Sequence, residues 1–410
     1  MTEFLRVITA AQFIEQLRRF SRLAPETVPL EDALHRFLAA DVISAENLPD
    51  RARSTVDGYA VRADDTFGAS DSIPALLEIA GTVAMGTVPV FSVGPGQAAH
   101  IPTGGALPPG ADAVVMVEYT NKAGDAAVEV THPVTVQANI MEQGEDVRAG
   151  EPVIHAGRAV RSHEVGMLAA LGILEVAVYR RPQVAVISTG DEVVAISRKP
   201  GPGQIRDANS YSVSALARAS GAKAIPFAIV PDDASALRDA LENALALADL
   251  VAVSGGSSVG TRDLMVEVVS ALAGVELLAH GVAIRPGKPT LLARRNEKAI
   301  FGLPGHPVSA LLVAHAFLAP FLRYLQGGEL RMGPIGERVK ALLPVSLHST
   351  IGLQEFVRVR LEETAAGYCA HPVFGKSGML STMVKADGVI VIPMQVEGLL
   401  RGQVVEVTRI

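Results

Sequence analysis

The chain has 410 residues, of which 49% are hydrophobic and 19% charged, with 38 glycines and 25 prolines. Since domains average about 150 residues, this length predicts two to four of them, and the apolar content excludes an intrinsically disordered chain. A formal net charge of −7 and an aromatic content of 4% argue against a nucleic-acid partner, which needs basic grooves or stacking surfaces.

Features that report on location point to the cytoplasm. The single cysteine, Cys369, cannot form an internal disulfide. The N-terminus carries Glu3 and Arg6, and no signal peptide is visible there. The longest apolar stretch, 308–322, contains His315 and Pro320 and is shorter than the roughly 20 residues that span a bilayer. We expect a cytoplasmic protein without a membrane partner.

The first 150 residues change pattern once. Apolar residues at helical spacing predict two amphipathic helices, and the residues are Phe13, Ile14, Leu17 and Phe20 in the first and Leu30, Leu34, Phe37 and Leu38 in the second. From Arg51 to Arg148 the pattern becomes short β-type runs divided by Gly and Pro clusters, which predicts a small β-rich module.

After a helix near 163–171, strands and helices alternate. Strands are predicted at 183–188, 225–230, 250–254 and 299–302, and helices at 209–220, 234–248, 262–273 and 307–324. Continuously apolar strands between helices predict a doubly wound parallel sheet covered on both faces. Short alternating runs after about Gly327 predict a C-terminal β-barrel or sandwich. The fold class is α/β and multidomain.

Glycine follows the strand at 250–254, where residues Ser254 to Gly260 contain two adjacent glycines. Bare backbone amides at this point, before a helix N-terminus, suit a phosphate group. The alternative is a tight strand-to-helix turn without a ligand. Two later loops strengthen the phosphate hypothesis, because Arg285 and Lys288 could each bind a phosphate oxygen and residues 302–305 combine Pro with Gly.

Carboxylates cluster near the same edge of the predicted sheet: Asp191, Glu192, Asp232 and Asp263. Acids beside a phosphate site are typical of Mg²⁺ binding. Each acid alone could equally be a surface group, and Asp232 could be the N-cap of the helix that begins at Ala234.

The β-rich module contains three polar loops. Asp57-Gly58 is either a hairpin turn or a rigidly held carboxylate. The loop after Ile101 offers Thr103 and bare amides to a ligand, and a further loop carries Glu145 and Asp146.

Taken in order, these motifs resemble the molybdopterin molybdenumtransferases, the MoeA family that also includes the gephyrin E domain. The resemblance extends over essentially the whole chain. The matching segments are 55–62, 102–105, 110–115, 144–146, 188–192, 254–260 with Asp263, 286–289, 302–305 and 307–309.

The resemblance implies four domains and a homodimer. These are a linker and dimerisation domain (1–50 plus 149–180), the β-rich module (51–148), a molybdopterin-binding doubly wound domain similar to the molybdopterin adenylyltransferases (181–327), and a C-terminal β-barrel (328–410). It also implies an active site between the doubly wound domain of one subunit and the β-rich module of the other.

The reaction of this family inserts molybdate into adenylylated molybdopterin and releases AMP, assisted by a divalent cation, here Mg²⁺. A molybdopterin adenylyltransferase and molybdoenzyme chaperones are candidate protein partners. By motif, the implied catalytic residues are Asp57, Thr103, Asp146 and Glu192, and the implied metal ligands are Glu192, Asp232 and Asp263. The implied substrate-binding residues are Gly190, Ser254, Gly255, Gly256, Ser257, Arg285, Lys288, Pro304, Gly305 and Ser377.

The sequence departs from the family pattern at three positions. Arg285 stands where the family commonly has Lys, His306 where it has Asn, and Met141 near a usual Arg. Two alternative functions stay open, an adenylyltransferase acting on the same pterin and a non-catalytic cofactor carrier. The retained carboxylates Asp57 and Glu192 favour the enzyme, since a carrier would not need them.

Overall fold

The computed structural model describes residues 7–255 and 259–410, without the side chains of 259–263. It divides into two compact units. The first contains the chain up to Ala39, Gly157–Ser162 and Glu175–Ile410, and the second contains Ala40–Ala156 and His163–Leu174. The four-domain division is finer than this one and stays a prediction.

A six-stranded sheet lies at the centre of the first unit. Its first four strands are parallel and its last two antiparallel. The strand order is Lys223–Pro226, Gln183–Thr189, Leu250–Gly255, Lys298–Pro304, Leu291–Arg295 and Val275–His280. The parallel strands confirm the predicted doubly wound domain.

Helices cover both faces of this sheet. Ala10–Leu17, Asn209–Ala219 and Pro307–Leu325 pack on one face, and Ala234–Leu247 and Val259–Ala271 pack on the other. Because both faces are buried, the strands are apolar without alternation. This burial on both faces produces the continuous apolar runs from which the strands are predicted.

The helix Pro307–Leu325 is the most apolar element. It includes a π-helical turn at Ala314–Leu318 and continues through His315 and Pro320. By its length of 19 residues and its mean hydropathy of 1.6 it could cross a membrane, but 78% of its apolar window is buried inside the structure. The protein core therefore accounts for its composition.

The predicted second N-terminal helix is wrong. Only Leu30–Asp32 forms a 3₁₀ turn, and His35 then adopts a φ of +64°, which an α-helix does not contain. Phe37 and Leu38 instead form isolated antiparallel β-bridges. Their helical spacing thus reflects burial in an irregular segment.

The strand predicted at 225–230 is displaced to Lys223–Pro226. Pro226 has no N–H to continue the ladder. Pairing resumes at a single bridge between Thr189 and Val230.

The C-terminal part of the first unit is a closed β-barrel, as predicted. Gln354–Thr364 pairs with both Gly367–Pro372 and Gly388–Ile392, which closes the ring through Arg338–Leu342 and Val404–Arg409. Val359, Ala370 and Val407 are fully buried inside it. The short strand Ile284–Arg285 adds to the strand Gln354–Thr364.

The second unit is built on another six-stranded sheet, which confirms the predicted β-rich module. Its strands lie in the order Ala113–Met116, Gly58–Val61, Gln97–Ile101, Ala75–Thr82, Ala127–Val130 and Thr120–Lys122.

The remaining elements are short. Paired strands are Pro25–Pro29 with Glu175–Tyr179, Val42–Ile43 with Pro152–Ile154, Arg53–Ser54 with Ile140–Met141, Val193–Val194 with Ile205–Arg206, and Leu347–His348 with Gly398–Leu399. The helices are Ser162–Ala170 and Ser381–Val384, with 3₁₀ turns at Ala63–Thr66 and Val117–Tyr119.

Candidate functional site

The segments that follow three neighbouring parallel strands meet at one cleft of the first unit. The cleft measures about 1000 Å³, and Glu192, Ser254, Gly255 and Gly305 line it. Because carboxyl ends of parallel strands share an edge, this is where an open α/β sheet binds ligands. The structure therefore brings four of the predicted site residues together.

A buried polar network forms the floor of the cleft. The Ser188 hydroxyl donates to Asp207 Oδ1 at 2.8 Å and lies 3.3 Å from the hydroxyl of Ser254. Asp207 also accepts from the amide N–H of Ser210 at 3.0 Å. Sequence reasoning missed Asp207, although an acid two residues before a predicted helix is a recognisable signal. Its carboxylate holds the Ser188 hydroxyl, which in turn lies within hydrogen-bond distance of Ser254.

Gly255 is required by its neighbour Thr189. A Cβ at Gly255 would lie 1.6 Å from Thr189 Oγ1, so no other residue fits without a backbone shift. Gly256 and Ser257 lie outside the described residues, as does the side chain of Asp263.

Asp191, Glu192 and Asp232 lie close together, and Glu192 lines the cleft. Burial raises the pKa of Asp232, and the negative charges of Asp191 and Glu192 raise this pKa further. The amide N–H of Asp232 donates to Asp191 Oδ1 at 3.2 Å. The alternative of Asp232 as an N-cap is wrong, because Asp233 caps the helix by accepting from Ala236 N–H at 2.9 Å.

These acids fit a cation only in part. Among residues 7–255 and 264–410, whose side chains are described, no group of three Asp, Glu, His or Cys is arranged to hold a metal ion. However, Mg²⁺ usually takes one or two carboxylates and completes its shell with water and substrate phosphates. Burial is the main cause of the raised pKa of Asp232, and such an ion would offset the negative charges of Asp191 and Glu192 that raise this pKa further.

The loop at Gly190 places Glu192. Gly190 has a φ of +141°, and a Cβ there would lie 2.5 Å from Glu192 Oε2. Pro304 lies beside the cleft, in an apolar pocket that also contains Asp232 and Gly255.

Arg285 and Ser377 line a second cavity of about 1020 Å³ instead of the strand-end cleft. Arg285 donates to Thr350 Oγ1 at 3.1 Å, and its Nη1 lies 3.8 Å from Glu355 Oε2. Lys288 is exposed. The basic loop thus directs Arg285 toward the barrel.

Arg358 lines this second cavity and was missed by sequence reasoning. Its guanidinium donates to Thr382 Oγ1 at 2.8 Å and to the Gly375 carbonyl at 3.1 Å. Its buried Nε has no hydrogen-bond partner, and burial lowers the pKa of the group. An alternating β-strand gives no sign of such a residue, because an outward arginine is the ordinary case.

In the second unit, Asp57 and Thr103 form a defined pair. Asp57 Oδ1 accepts from the Thr103 amide at 2.7 Å and from its hydroxyl at 3.0 Å, and these bonds lower the pKa of Asp57. The hairpin alternative is wrong, because the strands on either side of Asp57, Arg53–Ser54 and Gly58–Val61, belong to different sheets. Asp146 is exposed in its own loop, where its amide donates to the Leu48 carbonyl.

Comparisons with known proteins cover nearly the whole chain. A model of the MoeA N-terminal region (domains I and II) matches residues 5–172, a probable molybdopterin binding domain matches 185–324, and the MoeA C-terminal region (domain IV) matches 340–410.

Relatives and solved structures agree with these matches. A putative molybdopterin biosynthesis protein of Methanocaldococcus jannaschii is 35% identical, with 93% of this chain and 91% of the relative covered. A molybdopterin molybdenumtransferase of Bacillus subtilis is 33% identical, with 93% and 89% covered. The crystal structure of a molybdopterin biosynthesis MoeA protein of Pyrococcus horikoshii OT3 has a TM-score of 0.86 and 31% identity, with 99% and 100% covered. The chain belongs to the MoeA family.

Proposed function

We propose that this protein is a molybdopterin molybdenumtransferase, which inserts molybdate into adenylylated molybdopterin and releases AMP in molybdenum cofactor biosynthesis. One observation carries the proposal: Glu192, Gly255 and Gly305 lie at or just after the ends of three different parallel strands and line one cleft. Acids beside bare glycine amides suit a phosphoanhydride that carries a cation. Relatives named molybdopterin molybdenumtransferase support the assignment.

Glu192 and Asp232 would hold the cation in this proposal, with Asp263 as a third predicted ligand. A bound Mg²⁺ would neutralise negative charge on the phosphate oxygens while the phosphoanhydride opens. The residues of the protein position the phosphates. Gly255 leaves room for them, and the network of Asp207, Ser188 and Ser254 keeps the strand ends rigid.

Molybdate would bind in the second cavity. Arg285, Arg358 and Ser377 line it together with Glu355, which lies 3.8 Å from Arg285. The two guanidinium groups outweigh the single carboxylate, and with the Ser377 hydroxyl they match a tetrahedral dianion. Burying Arg358 costs solvation free energy, which its lowered pKa reports. An anion close to its unpartnered Nε would offset that cost.

Asp57 and Thr103 would orient the attacking oxyanion from the partner subunit of a homodimer. The support is the hydrogen-bonded pair itself, since a carboxylate held by two donors has a fixed direction. Asp146 belongs to the same predicted set. A cytoplasmic location also remains a prediction.

The test is incubation of the purified protein with adenylylated molybdopterin, Mg²⁺ and molybdate, with AMP followed by chromatography. We expect AMP only when molybdate and Mg²⁺ are both present. The matched control is Glu192→Gln, which keeps the size of the side chain and removes its charge.

Two results would contradict the proposal. AMP at background level with the pterin still bound would favour a cofactor carrier. Formation of adenylylated pterin from ATP and unmodified molybdopterin would instead favour an adenylyltransferase.

A further inference from the structure

His306 links the strand-end loop to the barrel. Its Nδ1 lies 3.1 Å from the Ser377 hydroxyl, and two residues later the Val308 amide donates to the Ser377 carbonyl at 3.0 Å. The same short segment thus holds both the backbone and the side chain of Ser377. His306 also lines the strand-end cleft, whereas Ser377 lines the second cavity.

The direction of the hydrogen bond between His306 and Ser377 decides whether the Ser377 hydroxyl presents a hydrogen or only lone pairs to a ligand in the second cavity. A serine hydroxyl has one hydrogen, and an imidazole nitrogen is either a donor or an acceptor. If Nδ1 accepts, the hydrogen of Ser377 is used, and only oxygen lone pairs remain for the cavity. If Nδ1 carries a hydrogen and donates it, the Ser377 hydroxyl is free to donate into the cavity.

The other groups of the cavity indicate which direction an anion would select. Arg285 and Arg358 line the same cavity and can only donate, and Glu355, which also lines it and lies 3.8 Å from Arg285, balances only part of their positive charge. An oxyanion beside two guanidinium groups favours a third donor and is repelled by lone pairs. The anion therefore favours the form of His306 that carries a hydrogen on Nδ1.

We propose that His306 is a positioning residue that turns Ser377 into a hydrogen-bond donor for a tetrahedral oxyanion substrate. The inference rests on the proposed function, because it takes molybdate as the anion of the second cavity. It adds a specific role for His306 that the proposed function does not by itself require.

Loss of the His306 side chain need not unfold the loop. Arg358 holds the Gly375 carbonyl and Thr382 from the barrel side. The backbone bond from Val308 to Ser377 does not involve the imidazole. Removing the ring should therefore change the hydroxyl direction more than the position of the loop.

The experiment measures molybdate binding to the purified protein by calorimetry, without pterin. We expect Ser377→Ala to weaken binding about tenfold, the usual effect of one lost bond to a charged group. His306→Ala should weaken it to a similar extent, because without Nδ1–H the Ser377 hydroxyl is no longer directed toward the anion. The double variant should be no weaker than either single variant, because the two residues act as one unit. His306→Asn should bind within about threefold of the wild type, since its amide N–H can replace Nδ1–H.

Two controls complete the design. His371→Ala removes a histidine that pairs with Glu362 at 2.7 Å on the barrel, and it should bind molybdate normally. In turnover assays His306→Ala should raise the KM for molybdate and leave kcat nearly unchanged, which a general loss of structure would not do.

Normal binding by His306→Ala would overturn the inference, as would additive losses in the double variant or failure of His306→Asn to rescue. AMP release without any molybdate binding here would overturn the inference and leave the proposed function intact. The expected binding pattern without AMP release would contradict the proposed function alone.

Discussion

The environment of Asp232 disfavours the ionised form of its carboxyl group. Its pKa is raised by burial and by Asp191 and Glu192. A carboxyl with a raised pKa in the folded state binds protons more tightly there than in the unfolded chain, so stability falls as the pH rises through that raised value. At neutral pH the charge of Asp232 therefore destabilises the fold.

We predict that Asp232→Asn raises the thermal stability at pH 7 by less than about 1 kcal/mol, since the group is partly solvated. We also predict that Mg²⁺ raises the unfolding temperature of the wild type, since it would bind only the folded state, and that Asp232→Asn abolishes this stabilisation. Calorimetry with and without Mg²⁺ measures both effects.

The neighbouring Asp233 provides the control. Asp233→Ala removes the helix cap and should cost about 1 kcal/mol, but it should keep the response to Mg²⁺. Equal responses to Mg²⁺ in Asp232→Asn and the wild type would remove Asp232 from the cation site.

Asp57 is predicted to act in chemistry and not in folding. It is exposed, and its two hydrogen bonds go to Thr103. We expect Asp57→Ala to fold normally and to lose AMP release by at least about 100-fold, as misplaced catalytic groups commonly do. Asp41→Ala is the matched control, because Asp41 also accepts a backbone N–H, from Ala156 at 2.7 Å. Wild-type turnover by Asp57→Ala would show that Asp57 has no catalytic role.

At the scale of elements, the core helix Pro307–Leu325 carries a histidine whose charge the fold suppresses. Burial lowers the pKa of His315 to about 4 from 6.5. The folded state keeps the ring neutral while the unfolded chain takes up a proton, so stability is lost as the pH falls from 6.5 toward 4.

The prediction is a loss of about 3 kcal/mol over this range from His315 alone. Urea unfolding at pH 7 and pH 4.5, compared between the wild type and His315→Leu, isolates the contribution, because other titrating groups are common to both proteins. The variant should lose less stability than the wild type. Parallel losses in the two proteins would show that His315 is not the source.

Elements were predictable where burial is regular. The strand Gln183–Thr189 is enclosed by helices on both faces, so its central residues 184–187 are uniformly apolar. The segment around Phe37 has apolar residues at helical spacing and yet no helix, because His35 takes a left-handed conformation and the chain then forms isolated bridges. Spacing alone cannot distinguish these two uses of apolar residues.

For the whole molecule, motif order predicted the family and the acids at the sheet edge. It did not predict that Arg285 lines a different cavity from Gly255. Neither Asp207 nor Arg358 was found, since their importance depends on partners that are distant in sequence, such as Ser188 and Thr382. The sequence around each residue does not show which distant residues it contacts.

The proposed homodimer with shared sites predicts complementation between two inactive variants. Co-expressed Asp57→Ala and Glu192→Ala chains would form mixed dimers in which one of two sites has both carboxylates. With random pairing, about a quarter of the wild-type activity should return. No activity above that of the single variants, in dimers shown by sedimentation to be mixed, would place both carboxylates in one subunit.

The central claim is that opening of the phosphoanhydride is tied to insertion of the metal oxyanion. The most direct measurement quantifies AMP and molybdenum cofactor in the same reaction over time. The account predicts equal amounts of the two products, both dependent on molybdate and Mg²⁺. Cofactor formed without AMP, or AMP released at full rate without molybdate, would contradict it.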